Sequence, residues 1–163
     1  MSSLSFGHTG GMRLLAVPHD SRKIAVWRVD EIKTSKQELT VITLVPEGQR
    51  ITAFSMAGLQ LAVGSADGAL VVHTISIGAC VATAKIVFVA ALPAEAPHRY
   101  VQAVKFGPGR AAGASDSPHH NQRLVAASWG TGNVRVFGVE SSACMMEFLH
   151  HGQACGGWGL IWV

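Results

Sequence analysis

Residues 51 to 72, ITAFSMAGLQLAVGSADGALVV, decide the fold. The apolar runs Ile51 to Ser55, Leu59 to Gly64 and Leu70 to Ile75 are too short for ordinary helices and rich in residues that suit a pleated sheet. Between the second and third runs stands Asp67-Gly68, a pair fitted to the positive-φ backbone of a β-hairpin. The segment reads as strand, turn, strand, turn, strand, an antiparallel sheet made from consecutive pieces of chain.

Working outward, the same pattern returns at a fixed offset. Leu15-Ala16-Val17 precedes Leu61-Ala62-Val63 by 46 positions, and Ile24-Ala25-Val26-Trp27 precedes Leu70-Val71-Val72-His73 by the same 46. A third copy, Leu124-Val125-Ala126 with Val134-Arg135-Val136-Phe137, follows the second by 63 to 64. The excess of 17 to 18 is accounted for by Gly107 to Gln122, a polar insert rich in Gly, Ala, Ser and Pro. Further strands are expected at Leu14 to Val17, Ile24 to Val29, Leu39 to Leu44, Cys80 to Val89, Val101 to Phe106, Leu124 to Ser128, Val134 to Val139 and Ala143 to Leu149. No window of ten or more residues shows a helical apolar period, so the chain is read as all-β, with a repeated sheet. Cys80 and Cys144, 64 apart, each open a strand after a small-residue turn. They are expected to be equivalent packing positions, with their thiols serving as small buried apolar groups.

Each copy resembles a blade of the WD-repeat family, whose unit of about 40 to 45 residues forms four strands. The resemblance covers about Gly7 to Val163. It is carried by the repeated spacing, by Asp67-Gly68 and Thr131-Gly132-Asn133 at the second hairpin, and by partial matches at Asp20 with Trp27 and Ser65 with Asp67. Gly7-His8 resembles the family's Gly-His pair. No Trp-Asp dipeptide occurs, His73 and Phe137 stand where Trp is usual, and Thr131 replaces Asp. The resemblance implies an incomplete β-propeller of about three four-stranded antiparallel blades, at about 7–50, 51–97 and 98–152, with a partial blade at 153–163 in a single domain, 1–163. The first copy is expected to begin almost at its second strand. Closed propellers have about four to eight blades. The chain is therefore expected to be a fragment, or a piece completed by another copy or a partner chain.

Composition sets the function classes. Of 163 residues, 48% are hydrophobic and 14% charged, against roughly 25% charged in ordinary soluble domains, so most of the chain must be buried or partnered. The net charge of +3 comes from 13 basic and 10 acidic residues that are interspersed, which implies neither nucleic acid nor an anionic membrane as partner. The most apolar stretch, Ala79 to Leu92, carries Lys85 and is shorter than the roughly 20 residues of a membrane-spanning helix. The first residues carry no basic start and no apolar core, so no secretory signal is read and a cytoplasmic or nuclear location is expected. Cys80, Cys144 and Cys155 form no C-x-x-C pair, which argues against a disulfide framework and a zinc site.

His119-His120 and His150-His151 present one ligand per side at best, and no carboxylate or thiol stands at ligand spacing from either, so no metal is expected. No Gly-x-Ser-x-Gly elbow or phosphate loop occurs, so no cofactor and no catalytic residue is assigned. The leading expectation is a non-enzymatic scaffold that binds other proteins in a larger complex. The alternative is a structural piece that completes a propeller with another copy or a partner chain. The loops Pro18 to Lys23, Ala66 to Gly68 and Trp129 to Asn133 are expected on one face, with Arg22, Lys23, Asp67, Trp129 and Asn133 as candidate protein contacts.

Overall fold

The structure is a computed structural model that describes residues 4–9, 12–29, 36–77, 82–94, 96–107 and 123–149. These residues contain twelve strands and no helix. The first sheet is β1 (Ser5–Thr9), β2 (Met12–Pro18), β3 (Lys23–Val29) and β4 (Lys36–Thr43). The second is β5 (Ile51–Ala57), β6 (Gln60–Ser65), β7 (Ala69–Ile77) and β8 (Ala82–Ala91). The third is β9 (Val101–Phe106), β10 (Leu124–Trp129), β11 (Asn133–Gly138) and β12 (Ala143–Leu149). Within each sheet the strands lie in chain order and every pair is antiparallel. The architecture is an incomplete β-propeller of three blades.

Eleven of the twelve strands fall where the sequence places them. The exception is β1. It pairs with β2 from Ser5 opposite Ala16 to Thr9 opposite Met12, so the first blade has its own inner strand and does not begin at its second. The Gly7-His8 pair lies within this strand. The polar insert, beyond Gly107, and the expected partial blade at 153–163 lie outside the described residues, as do Cys80, Cys155, His119-His120 and His150-His151.

Register shows how closely the blades repeat. Directly opposed residues on antiparallel strands share a face. One row reads Phe6, Leu15, Trp27 in blade 1, Met56, Leu61, His73 in blade 2, and Phe106, Val125, Phe137 in blade 3. The row on the opposite face reads Ser5, Ala16, Val26, then Ser55, Ala62, Val72, then Lys105, Ala126, Val136. Each third-to-fourth strand ladder also slips at the same place, between Val26 and Trp27, Val72 and His73, and Val136 and Phe137.

These rows build the core. The Ser5 row of blade 1 meets the Met56 row of blade 2, where Leu14, Ile24, Phe54 and Val63 complete one apolar cluster. The Ser55 row of blade 2 meets the Phe106 row of blade 3, where Leu70, Phe88, Val101 and Trp129 complete the other. Phe88 and Phe137 meet across this second joint in a tilted pair, 5.2 Å between centroids and 51° between ring planes. Inner strands are also linked by one repeated hydrogen bond. The Met56 amide donates to the Ser5 hydroxyl at 2.7 Å, and the Phe106 amide donates to the Ser55 hydroxyl at 3.3 Å. Blades approach so closely that a Cβ on Gly64 would stand 2.3 Å from Val101 Cγ1.

The cysteine expectation is corrected. Cys144 is exposed, so it is no buried packing group. It pairs with Phe137, whose counterpart His73 faces Ile86, so Ile86 and not Cys80 occupies the matching place in blade 2. The hairpin between β7 and β8 is longer than that between β11 and β12, and this breaks the equivalence suggested by an offset of 64.

Candidate functional site

The second hairpin of every blade is shaped by a polar side chain that accepts the main-chain N–H two residues on, a local turn device. The Asp20 carboxylate accepts from the Arg22 amide at 2.7 Å, Asp67 from the Ala69 amide at 3.3 Å, and the Thr131 hydroxyl from the Asn133 amide at 3.4 Å. In blades 2 and 3 a glycine follows in the left-handed region, Gly68 at φ 89° and Gly132 at φ 87°. Their amides close the turn onto the Ser65 and Trp129 carbonyls at 3.1 and 2.9 Å. Thr131 therefore does the work of the missing Asp. The Ser65 hydroxyl adds a hydrogen bond to the Asp67 carboxylate, so that acid is committed inward to its own turn.

The linkers between blades are tied to these turns by main-chain hydrogen bonds. Leu44 and Ile51 amides donate to the Arg22 and Ser21 carbonyls at 3.0 and 2.7 Å. The Ala66 amide donates to the Arg50 carbonyl and the Gly130 amide to the Tyr100 carbonyl, both at 2.9 Å. Arg50 and Tyr100 thus hold matching places, each immediately before an inner strand.

Turns and linkers together frame a cleft of about 710 Å³ at one end of the blades. Its wall includes His19, Asp20, Ser21, Arg50, Ala66 and Tyr100, with Thr52 and Gln102 at its base. Thr52 and Gln102 are the extra residues of matching bulges in β5 and β9. A bulge re-aims a side chain out of the regular alternation. Both residues also line a second groove of about 440 Å³ that runs along β5 and β9 past Phe54, Ser55, Val104 and Lys105. Thr52 and Gln102 therefore border both hollows.

Around the cleft His19 and Arg50 are exposed, and Tyr100 is 37% exposed. Asp20 is held below the ordinary carboxylate pKa, first by the Arg22 amide and then by Lys23, whose ammonium lies 3.5 Å away. Among the lining residues Asp20 and Arg50 are the charged pair, and Asp20 is already engaged by Lys23.

The sequence-derived contacts divide on this frame. Arg22 and Lys23 lie on the β2–β3 turn, half-buried, beside Asp20. Asp67 and Asn133 are half-buried at the corresponding turns of blades 2 and 3. Trp129 is corrected. It is 0% exposed, and its indole N–H donates to the Gly68 carbonyl at 2.8 Å, so it joins blades 2 and 3 and cannot meet a partner. His19, Arg50, Tyr100, Thr52 and Gln102 were not singled out. Arg50-Ile51-Thr52 and Tyr100-Val101-Gln102 hold matching places at the starts of β5 and β9, but they share only an apolar middle residue, so the sequence alone does not mark them.

Among the described residues no three His, Cys, Asp or Glu side chains gather as a metal site, and no helix is long and apolar enough to cross a membrane. No protein-family model matches the chain, and no curated protein sequence matches it. Solved structures are similar to it, and two of them illustrate the likeness. One is a computationally designed protein, Ika4, with TM-score 0.54 and 14% identity over 94% of this chain and 76% of that one. The other is Sqt1 from Chaetomium thermophilum, with TM-score 0.54 and 17% identity over 94% of this chain and 37% of that one. The chain spans little more than a third of that Sqt1 chain. At such identities the likeness is one of fold, and a shared fold is what it shows.

Proposed function

We propose that this chain is a non-enzymatic scaffold of the WD-repeat kind, which binds other proteins in a larger complex through the face bearing the β2–β3 and β6–β7 turns. The observation that carries the reading is the cleft of about 710 Å³, whose rim is fixed by main-chain hydrogen bonds while His19, Arg50 and Tyr100 point into solvent. A rigid rim costs little to order on binding, and Arg and Tyr are the side chains that most often anchor protein interfaces. Arg50, exposed at the rim while Asp20 is engaged by Lys23, suits a partner segment that carries a carboxylate.

Quantitative capture from native extract tests this with three forms of the protein. Wild type and Val89→Glu, a change on the perimeter strand β8, are expected to retain the same partner set. Arg50→Glu is expected to lower recovery of those partners at least about tenfold, the effect of losing one well-placed charged contact. A partner set untouched by Arg50→Glu overturns the reading.

A further inference from the structure

The inner strands β5 and β9 run side by side, and the two hollows follow one another along them. The cleft takes residues 50–52 and 100–102, and the groove takes residues 52–55 and 102–105. Both strands are the edges of their sheets, so each has a row of main-chain N–H and C=O groups that no strand pairs. The Thr52 hydroxyl donates to the Gly64 carbonyl at 3.1 Å, and a hydroxyl that donates still accepts. Along these strands the lining carries two charges. Arg50 stands at one end and Lys105 at the other, both exposed, and neither forms an ion pair among the described residues. Between them the strands present uncharged side chains, with Thr52, Gln102 and Ser55 as the polar ones.

We infer that the two hollows together take an extended acidic segment of a partner protein, with one carboxylate on Arg50, a second about four residues along on Lys105, and the main chain between them against Thr52, Gln102 and Ser55. The spacing follows from the register. Tyr100 holds the place of Arg50 in blade 3. From Tyr100 to Lys105 the strand advances four regular steps past the bulge at Gln102, about 13 Å at roughly 3.3 Å per residue. An extended chain covers the same distance in four residues and turns the first and fifth side chains to the same side, so both acids meet the cations of one wall.

Charge and shape favour a peptide over a nucleic acid. A single nucleic-acid strand brings a phosphate at every nucleotide and bases that stack on exposed aromatic rings. Here two cations stand apart, and of the lining rings Phe54 is buried, which leaves Tyr100 at the cleft end. Lys105 also departs from the pattern of its register. Blades 1 and 2 carry Ser5 and Ser55 there, whose hydroxyls accept the amide of the next inner strand, whereas an ammonium group only donates. The side chain at 105 thus serves no joint among the described blades and is left to meet an anion from solution.

The inference rests on the reading of the cleft as a protein-binding face and adds the chemistry of the partner, so its test separates the two. Fluorescence anisotropy follows labelled ten-residue peptides of Ala, Val, Thr and Ser that carry two glutamates four positions apart, two adjacent glutamates, or two glutamines. The spaced glutamates are expected to bind at least about tenfold more tightly than the glutamines. Arg50→Gln and Lys105→Gln are each expected to weaken that binding about fivefold, the upper end for an ion pair that stays in contact with water. Lys85→Gln removes the same charge from an exposed site on the outer strand β8 and is expected to change nothing. Adjacent glutamates are expected to respond to one of the two cleft substitutions and not to both. Circular dichroism checks that each variant keeps its strand signal. The inference is overturned if glutamate and glutamine peptides bind alike, if Lys105→Gln does no more than Lys85→Gln, or if a ten-nucleotide oligouridine binds more tightly than the spaced glutamates. Partners from extract that are lost with Arg50→Glu and kept with Lys105→Gln retain the scaffold reading and remove this one. Capture untouched by Arg50→Glu removes the scaffold reading whatever the peptides do.

Discussion

Replacing Trp129 by Phe tests the joint between blades 2 and 3. The indole is fully buried, its N–H donates to the Gly68 carbonyl at 2.8 Å, and its ring meets Phe137 edge-on at 6.4 Å between centroids. Gly68 is tethered by its own amide, which donates to the Ser65 carbonyl at 3.1 Å, and it packs so close to Arg99 that a Cβ would stand 2.5 Å from the Arg99 carbonyl oxygen. A buried carbonyl that loses its donor costs about 1–3 kcal/mol. The smaller ring adds roughly 1 kcal/mol of lost packing, well below the about 3–5 kcal/mol of a full truncation to Ala. The sum, about 2–4 kcal/mol, is a large share of a stability of order 5–15 kcal/mol. For a domain of this size it lowers the melting temperature by about 4–16 °C. Urea unfolding and a thermal scan measure it, with amide exchange at Ala69 and Leu70 reporting whether the β6–β7 turn loosens first. A loss below about 1 kcal/mol would refute the reasoning, since it would mean that the hydrogen bond and the ring contact are not shared by the two blades.

Two further changes probe the same frame. Gly64→Ala places a Cβ 2.3 Å from Val101 Cγ1 and 2.5 Å from Val101 Cβ, on a branched side chain with no room to turn. Blades 2 and 3 must part, at a cost of about 1–3 kcal/mol, and an unchanged urea midpoint would contradict this close approach. His73 is buried with no hydrogen-bond partner for Nε2 among the described residues, and desolvation pushes its pKa below the ordinary 6.5. The folded state keeps the ring neutral while the unfolded chain takes up a proton, so stability is full above pH 6.5 and declines as pH falls through it. His73→Phe, which copies Phe137 at the same register, is expected to remove that decline. The gap between variant and wild-type urea midpoints should widen from pH 8 to pH 5, and parallel losses would count against the burial argument.

The sheets were legible because most strands carry their partner on one face and a turn residue at one end. Leu61, Leu70 and Val72 alternate around Asp67-Gly68, and two copies at matching offsets leave little freedom in the register. β1 was missed for a physical reason. Its inward positions are Ser5, which accepts an amide, and Gly7, where a Cβ would stand 2.4 Å from the Gly58 carbonyl oxygen. A strand selected for close approach shows no apolar alternation to read. Turn residues near the site were equally plain, since Asp20, Asp67 and Thr131 act within two residues of themselves. Trp129 was misjudged as a surface group because its partner, the Gly68 carbonyl, is 61 residues away and is not marked by any side chain. Arg50 and Tyr100 reach the cleft only when consecutive blades stack, which no local pattern records.

Because every ladder joins strands that are neighbours in sequence, each blade can assemble from its own segment before it meets the others. Such modules gain stability from nearest neighbours, in the manner of a linear array. Blade 2, clasped by both neighbours, is expected to open more slowly than blades 1 and 3, each of which meets one neighbour among the described residues. Local closure of this kind shortens the search for partners and favours quick folding for an all-β chain.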